Sequence, residues 1–294
     1  MSTEIKIDEH LHQRRRIQKH FDARASCYES SAVLQREVCN RMLERLPLVT
    51  LKPDVILDAG TGTGWGMQGL MQYYKSARLI AMDLSVPMLQ QAKARSSFFR
   101  RPKLLAADAE AIPLADESVD LIFSNLMLQW CQPEKVFAEF FRVLKPNGLL
   151  MFSTFGPDTL KELRYSWAQV DSHKHVNDFV DMHDLGDALL AAGLAEPVMD
   201  MDMMKLTYDD ARSVMMDLKA IGANTLVDNH SSGMVTPRRF QQVLKAYETF
   251  RCAGVLPASY EIVYGHAWKT EQRIKKIDNG EIKIPVNTVL RSYK

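Results

Sequence analysis

The chain has little cysteine. Four are present, Cys27, Cys39, Cys131 and Cys252, and none stands in a Cys-x-x-Cys pair. That scatter gives neither a zinc knuckle nor a disulfide framework, and it suits a reducing compartment. Long apolar runs are missing as well: no stretch approaches the ~18 residues a membrane span requires. The first ten residues, Met-Ser-Thr-Glu-Ile-Lys-Ile-Asp-Glu-His, hold no apolar signal core, and their acids do not match a transit peptide. Charge of one sign is also lacking, since 37 Lys and Arg face 36 Asp and Glu across 294 residues. A near-neutral total disfavours bulk association with nucleic acid, where phosphate neutralisation dominates affinity. The nearest approach to a metal pair is His173-Lys-His175, read here as a solvated loop, so no metal is expected. These absences leave the expectation of a cytoplasmic enzyme, 46% hydrophobic and able to bury a sizeable core.

Glycine is scarce too, 14 in all, yet Gly60, Gly62, Gly64 and Gly66 alternate in one segment. Between Val55 and Gly66 the chain reads Val-Ile-Leu-Asp-Ala-Gly-Thr-Gly-Thr-Gly-Trp-Gly. Val55 to Leu57 predict a buried strand ended by Asp58; Gly60, Gly62 and Gly64 then precede a helical stretch, Met67 to Tyr74. Glycine permits positive φ and lets a ligand approach the backbone without meeting a Cβ. The unpaired amides at a helix start complete a ligand cradle. A strand–glycine loop–helix unit of this kind binds a nucleotide or a nucleoside derivative. A dinucleotide fingerprint needs Gly-x-Gly-x-x-Gly directly after the strand. Read from Gly60 the sixth position is Trp65, and the formal match at Gly64, Gly66 and Gly69 falls too late. A second apolar strand, Leu79 to Asp83, ends in an acid suited to accept ribose hydroxyls. Leu104 to Leu114 carries Asp108 and Ala109, and a fourth strand ends at Asn125 and Leu126.

Strand and helix patterns alternate from 51 to 156, which predicts an α/β fold with a doubly wound parallel sheet. Two helices precede it within 9–46: His10 to Phe21, which is basic, and Ala32 to Leu46, which stops at Pro47. After strand five come helices at Asp158 to Val170 and Asp184 to Ala192, the latter closed by Gly193. A sixth strand is expected at Pro197 to Tyr208, helices at Asp209 to Ile221 and Pro237 to Cys252, and a last strand within 260–270. Residues 157–256, strand six apart, read as a helical cap over the carboxyl edge of the sheet, where open α/β sheets bind ligands. Residues 1–270 are thus one domain, and 271–294 a tail of no clear period. Six methionines, Met199, Met201, Met203, Met204, Met215 and Met216, fall in the cap, as an adaptable surface or as ordinary core filling.

An acid two positions before three alternate glycines resembles motif I of the class I S-adenosylmethionine (SAM) methyltransferases. The resemblance implies a Rossmann-like, mostly parallel seven-stranded sheet and SAM as cofactor, with S-adenosylhomocysteine (SAH) as product. It places Asp58, Gly60, Gly62, Gly64, Asp83, Leu84, Asp108, Ala109, Asn125 and Leu126 around the cofactor. Asp83 would take the ribose, Asp108 the adenine amino group, and the Ala109 amide the ring. Arg142-Val-Leu-Lys-Pro-Asn-Gly148 matches the turn before strand five and is read as structural. Along its whole length the chain is similar to the malonyl-acyl-carrier-protein O-methyltransferases of biotin synthesis. Phe21–Tyr28, Ser124–Trp130, Phe152–Arg164 and Phe179–Asp184 carry that similarity.

The chemistry so implied is undemanding in acid–base terms. A malonyl carboxylate is ionised at neutral pH (reference values near ~4), so no general base is required. What remains is orientation and exclusion of water, worth roughly 7–11 kcal/mol when reacting atoms are held in a near-attack geometry. A fixed arginine fork suits a desolvated carboxylate. Arg164 is the first choice, with a surface helix arginine as the alternative. Tyr28 would close over the methionine moiety, and His183 would donate to the carboxyl or thioester carbonyl unless it merely precedes a helix. Gln129 and Trp130 would line the pocket, and Phe155 would wall the transferred methyl. The expected partner is malonyl-acyl carrier protein, an acidic molecule. It would dock on the cap residues Arg212, Lys219, Arg238, Arg239 and Lys245, in preference to the basic stretch Arg14, Arg15, Arg16 and Lys19. Neither nucleic acid nor membrane is expected as a partner. Two other readings stay open: a quinone-ring C-methyltransferase, and a protein-modifying relative of a respiratory complex I assembly factor.

Overall fold

Val55, Ile56 and Leu57 open a strand, β1 (Val55–Ala59), whose five residues are all buried, and the sheet is organised around it. The computed structural model describes residues 2–96, 100–220 and 236–270, with side chains from residue 12 onward except at 219 and 220. Before β1 lie α1 (Ser2–Arg24), the single turn α2 (Tyr28–Ser31) and α3 (Val33–Arg45). After it come α4 (Trp65–Tyr73), β2 (Arg78–Asp83), α5 (Val86–Arg95), β3 (Lys103–Ala106), β4 (Val119–Asn125), α6 (Pro133–Val143) and β5 (Leu144–Phe155). Then follow α7 (Lys161–Ala168), α8 (Met182–Ala192), β6 (Ala195–Tyr208), α9 (Ala211–Ala220), α10 (Pro237–Tyr247) and β7 (Leu256–Trp268).

The seven strands lie in the order β3-β2-β1-β4-β5-β7-β6. β3, β2, β1, β4 and β5 run parallel, and β7 is antiparallel to both β5 and β6. The order reverses between β1 and β4, which opens a crevice at the carboxyl ends of the strands. The α/β, mostly parallel sheet expected from the sequence is therefore the observed architecture.

Consecutive residues of a strand point to opposite faces, and the core divides accordingly. Ile56, Leu121, Phe123, Leu149 and Met151 pack on one face with Leu34, Val38 and Met42 of α3 and Met67 and Leu70 of α4. Leu57, Ile122, Leu150, Phe152 and Val263 pack on the other with α6 and with Leu185 and Leu189 of α8. On α6 the buried residues are Val136, Phe137, Phe140 and Val143, one stripe at helical spacing. Each such side chain contributes about 1.5–3 kcal/mol on burial.

Element ends differ from expectation where long-range contacts decide them. The helix expected from Asp158 starts at Lys161, because Glu261 of β7 captures the preceding loop. Its carboxylate accepts the Asp158 amide at 2.7 Å, and its carbonyl accepts the Thr159 hydroxyl at 3.1 Å. The last strand begins at Leu256 because that residue pairs in register with Tyr208 at the end of β6. The His173–His175 segment is not a solvated loop throughout. The ring of His175 is stacked on Trp167 with centroids 3.6 Å apart and meets Asp171 Oδ1 at 2.8 Å. The 271–294 tail lies outside the described residues.

Gly265 faces Phe152 across the β5–β7 pair. A Cβ at 265 would stand 2.3 Å from the Phe152 ring, which itself packs on Phe137 with centroids 5.5 Å apart. Gly265→Ala should therefore overpack the second core face and lower unfolding free energy by about 1–3 kcal/mol. Urea denaturation checks this, and a midpoint equal to that of the wild type would contradict the account.

Candidate active site

The glycine loop is shaped by contacts on both of its sides. Gly60 takes φ +75°, and a Cβ there would lie 2.5 Å from Met127 Cγ; Gly64 takes φ +87° with Ala92 Cβ 2.9 Å from the same position. Neither position tolerates a side chain. The Gly60 and Thr61 amides donate to the Met82 carbonyl at 2.8 and 2.9 Å, so the loop is stitched to β2. Asp83, at the end of β2, completes the stitching. Its Oδ2 accepts the Gly62 amide and its Oδ1 the Ser85 amide, both at 2.8 Å. Asp58 is 2% exposed and accepts the Thr61 hydroxyl at 2.6 Å.

Burial raises both carboxylates. Asp58 is pushed up to about 7, with the charge of Asp83 adding to burial and the Thr61 hydrogen bond opposing it. Asp83 is pushed up to about 6, its amide hydrogen bonds holding it below what burial alone would give. The two therefore titrate close to neutrality, as acids at ligand sites often do.

These groups border a cavity of about 860 Å³, open at its mouth. Gly60, Gly62, Asp83, Leu84, Ala109, Asn125 and Leu126 line it together with Tyr28, Gln129, Trp130 and Phe155. Seven of the ten residues expected around a cofactor thus meet on its lining, together with three of the expected pocket residues. Leu126 is held at φ +48°, and its amide is fixed by the carbonyl and the hydroxyl of Ser153. A leucine in the left-handed region costs free energy and marks a turn whose shape the site requires. The Asn125 amide nitrogen donates to the Gln35 carbonyl at 3.1 Å, tying β4 to α3.

The roof comes from the N-terminal segment. Arg14, Ile17 and Phe21 of α1 and Gln35 of α3 line the same cavity. Phe21 meets Trp130 edge-on at 5.4 Å and Tyr28 at 6.4 Å. The Tyr28 hydroxyl is pushed well above its ordinary range by burial, with Asp83 and Glu29 adding to the effect. Among the described residues, Gln35 Oε1 is buried without a hydrogen-bond partner. Two smaller cavities adjoin. One of about 450 Å³ lies on the other side of the glycine loop beside Asp58, Arg36 and Trp65. The other, about 500 Å³, shares Gln129, Cys131 and Phe155 with the main cavity and reaches Thr154, Asn177 and Phe179.

Other expected residues lie elsewhere. Asp108 does not line the main cavity, although Ala109 does; its carboxylate pairs with Arg14. Arg14 is consequently 7% exposed and is no part of a solvated basic face. Arg164 lines no described cavity. Its guanidinium donates to the carbonyls of Pro157 at 2.8 Å, Asn177 at 3.3 Å and Thr159 at 3.4 Å, and among the described residues its Nε is buried without a partner. His183 stands outside the cavities with its side chain 80% exposed, its ring bound to Asp181, the residue that caps α8. Arg212, Arg238 and Lys245 are exposed on the cap helices, and Arg239 lies 3.9 Å from Asp171. The side chain of Lys219 falls outside the described residues. Arg142 is spent on structure, bonded to Glu139, Asp116 and the carbonyls of Ile112 and Leu114.

Sequence reasoning missed Arg14, Ile17, Gln35, Met82, Met88, Met127 and Cys131 on the cavity wall. A signal existed for α1: Ile17 and Phe21 are spaced i, i+4, an apolar stripe on a helix otherwise read for its charge.

A family profile described as a methyltransferase domain matches residues 57–152, from β1 to β5. A malonyl-acyl-carrier-protein O-methyltransferase of Gallionella capsiferriformans is 48% identical over 277 residues, 92% of this chain and 96% of that one. One from Laribacter hongkongensis is 48% identical over 90% of this chain and 93% of its own length. Among solved structures, the YcgJ protein of Bacillus subtilis superposes with a TM-score of 0.56 at 18% identity, covering 80% of this chain and 99% of that one.

Because the folded state raises Asp58 above its unfolded value near ~3.9, it favours the protonated form. The associated stability is present in acid and is lost as pH rises towards about 7. Asp58→Asn removes that loss. In the ligand-free protein its unfolding free energy, relative to wild type, should be higher at pH 8 than at pH 5 by on the order of 2–3 kcal/mol. Urea unfolding at the two pH values decides the matter; an equal difference at both would refute the assignment.

Proposed function

The chain belongs to the malonyl-acyl-carrier-protein O-methyltransferase family, and from that premise we infer that it transfers a methyl group from SAM to the free carboxylate of malonyl-acyl carrier protein. The methyl ester would prime pimeloyl synthesis for biotin. The observation that carries the reading is the glycine loop locked to the Asp83 carboxylate at the reversal point of the sheet, beside a cavity of nucleoside size.

The residues present fit SAM. Asp83 spends one acceptor position per oxygen on the Gly62 and Ser85 amides, which leaves its remaining lone pairs for a ribose diol. Ala109 brings its backbone to the cavity wall at the purine end. Gln35 Oε1 is a buried acceptor still without a donor, suited to an α-ammonium group. A Cβ at Gly62 would meet nothing within 4 Å, so the loop backbone is open to a close ligand. Bound SAM supplies a methyl group already activated on a sulfonium. The chain's own work is therefore to hold, orient and dry the acceptor. Tyr28, Phe21 and Trp130 roof the cavity with aromatic surface, and Phe155 forms part of the wall shared with the second cavity. That second cavity, with Gln129, Thr154, Asn177 and Asp178 among apolar neighbours, offers room for the thioester end of the substrate.

Arg164 is the proposed carboxylate clamp. Among the described residues its guanidinium has carbonyl partners and no carboxylate, so its positive charge is oriented but uncompensated. One of those carbonyls belongs to Asn177, on the wall of the second cavity. A half-buried arginine held in this way gains from an anionic partner. His183, exposed at the start of α8, remains a proposed donor to the substrate carboxyl or thioester carbonyl. The carrier protein would be steered by Arg212, Arg238, Arg239, Lys245 and Lys219. Arg238, Arg239 and Lys245 stand on α10, which packs against α7, the helix of Arg164.

Labelled methyl transfer from SAM tests the reading, with malonyl-acyl carrier protein, malonyl-CoA and succinyl-acyl carrier protein run in parallel. A base-labile malonyl methyl ester is expected, and little succinyl ester. Arg164→Ala should reduce kcat/KM at least about tenfold, the loss of one charge-assisted contact. Absence of ester from a protein that binds SAM would overturn the acceptor.

A further inference from the structure

Between α7 and α8 the chain runs from 169 to 181 without helix or strand. Four of these residues, Asn177, Asp178, Phe179 and Val180, line the second cavity. An irregular wall has no ladder of backbone hydrogen bonds to hold it, so side-chain contacts must fix its shape. The contacts gather on the residues just before it. Trp167, 8% exposed on α7, stacks on the ring of His175 with centroids 3.6 Å apart and planes 12° from parallel. The edge of that ring meets Asp171, with Nε2 2.8 Å from Oδ1. An ionised carboxylate only accepts, so Nε2 carries the hydrogen. The same oxygen accepts the His173 amide at 3.0 Å, which closes the turn from 171 to 175. Both side chains of the pair are almost wholly buried. Next in the chain, Val176 is buried, and the Asn177 carbonyl accepts from Arg164. At the far end Phe179 stands edge-on to Phe155 at 5.5 Å.

We propose that His175 is a positioning residue for the acceptor: wedged between Trp167 and Asp171, its ring sets the wall of the second cavity from Asn177 to Val180. The inference rests on the reading that this cavity holds the thioester end of the substrate. Position 175 makes two demands at once, a flat face for the indole and a donor for the carboxylate. Phenylalanine meets the first alone, and glutamine the second alone. Without the ring, Asp171 loses its nearest donor and is left to Arg239 of α10, 3.9 Å from its other oxygen. The turn that leads into the wall is then released. The main cavity supplies an internal control, because none of the residues from 169 to 181 lines it.

Methyl-transfer kinetics with malonyl-acyl carrier protein at saturating SAM, run beside calorimetric titration with SAH and thermal melts, test the proposal. His175→Ala should raise KM for the malonyl substrate about fivefold or more while kcat changes less than about twofold. Its Kd for SAH should stay within about twofold of the wild type. His175→Phe and His175→Gln should each recover part of the KM, since each keeps one of the two contacts. They also carry the test if the melt finds the alanine variant unfolded; a wild-type KM in both would then overturn the proposal. An unchanged KM in a folded His175→Ala would overturn it as well. So would equal weakening of SAH and malonyl substrate, which would leave His175 a contact for stability alone. A wild type that binds SAH yet forms no malonyl ester would instead overturn the acceptor reading beneath it.

Discussion

The clasp of Asp83 by the Gly62 and Ser85 amides is the contact on which the site depends. A carboxylate buried at the end of a strand is expensive unless hydrogen-bonded. Here the donors that satisfy it come from the glycine loop and from the start of α5. The carboxylate therefore sets the distance between the loop and β2, and with it the width of the crevice at the reversal of strand order. Loop conformation, cavity shape and the acceptor offered to a ligand follow from one electrostatic requirement. Positive φ at Gly60 and Gly64 serves the same end, since it turns the loop back under α4 without side chains in the way.

The second determinant is the N-terminal roof. In the parallel core each strand–helix unit satisfies itself locally, whereas α1 and α3 are held by contacts to distant segments. Asn125 binds the backbone of α3, Asp22 accepts from Ser85, and Arg14 pairs with Asp108. Every one of these partners lies at the carboxyl edge of a strand or just beyond it. The aromatic cluster of Phe21, Tyr28 and Trp130 fills the space between them. A site roofed in this way excludes water, which strengthens the electrostatic contacts inside it.

How much of this was legible in the sequence follows the range of the interactions. β1, the glycine loop, Asp83, Asn125 and Leu126 were legible because strand burial, turn chemistry and helix starts are written in neighbouring residues. The relation of Arg14 to Asp108 was not. The arginine sits among Arg15, Arg16 and Lys19, and only the folded chain shows which of them turns inward. Arg164 was read from its place after β5, yet its partners are carbonyls, which sequence never distinguishes from one another. Asp108 and Ala109 were both read as cofactor residues; Ala109 lines the cavity, and the carboxylate of Asp108 pairs with Arg14. His175 looked solvated because His-Lys-His is polar, while its burial depends on Trp167, one helical segment earlier. Local rules located the ligand side of the fold, and long-range packing decided which polar residues face it.

The pairing of Tyr208 with Leu256 carries a further consequence. The described residues between 209 and 255, with α9 and α10 among them, lie outside the strands, and the chain rejoins the sheet opposite the position at which it left. Such an excursion is anchored like a loop tied at both ends, and the entropy of closing it rises only slowly with its length. Residues can be gained or lost there with little effect on the sheet, since no strand changes register when the excursion grows. The lobe that carries α9 and α10 can therefore change while the cavity at the carboxyl edge of the sheet stays fixed. The antiparallel β6–β7 ribbon is in that sense a mounting bracket for that lobe.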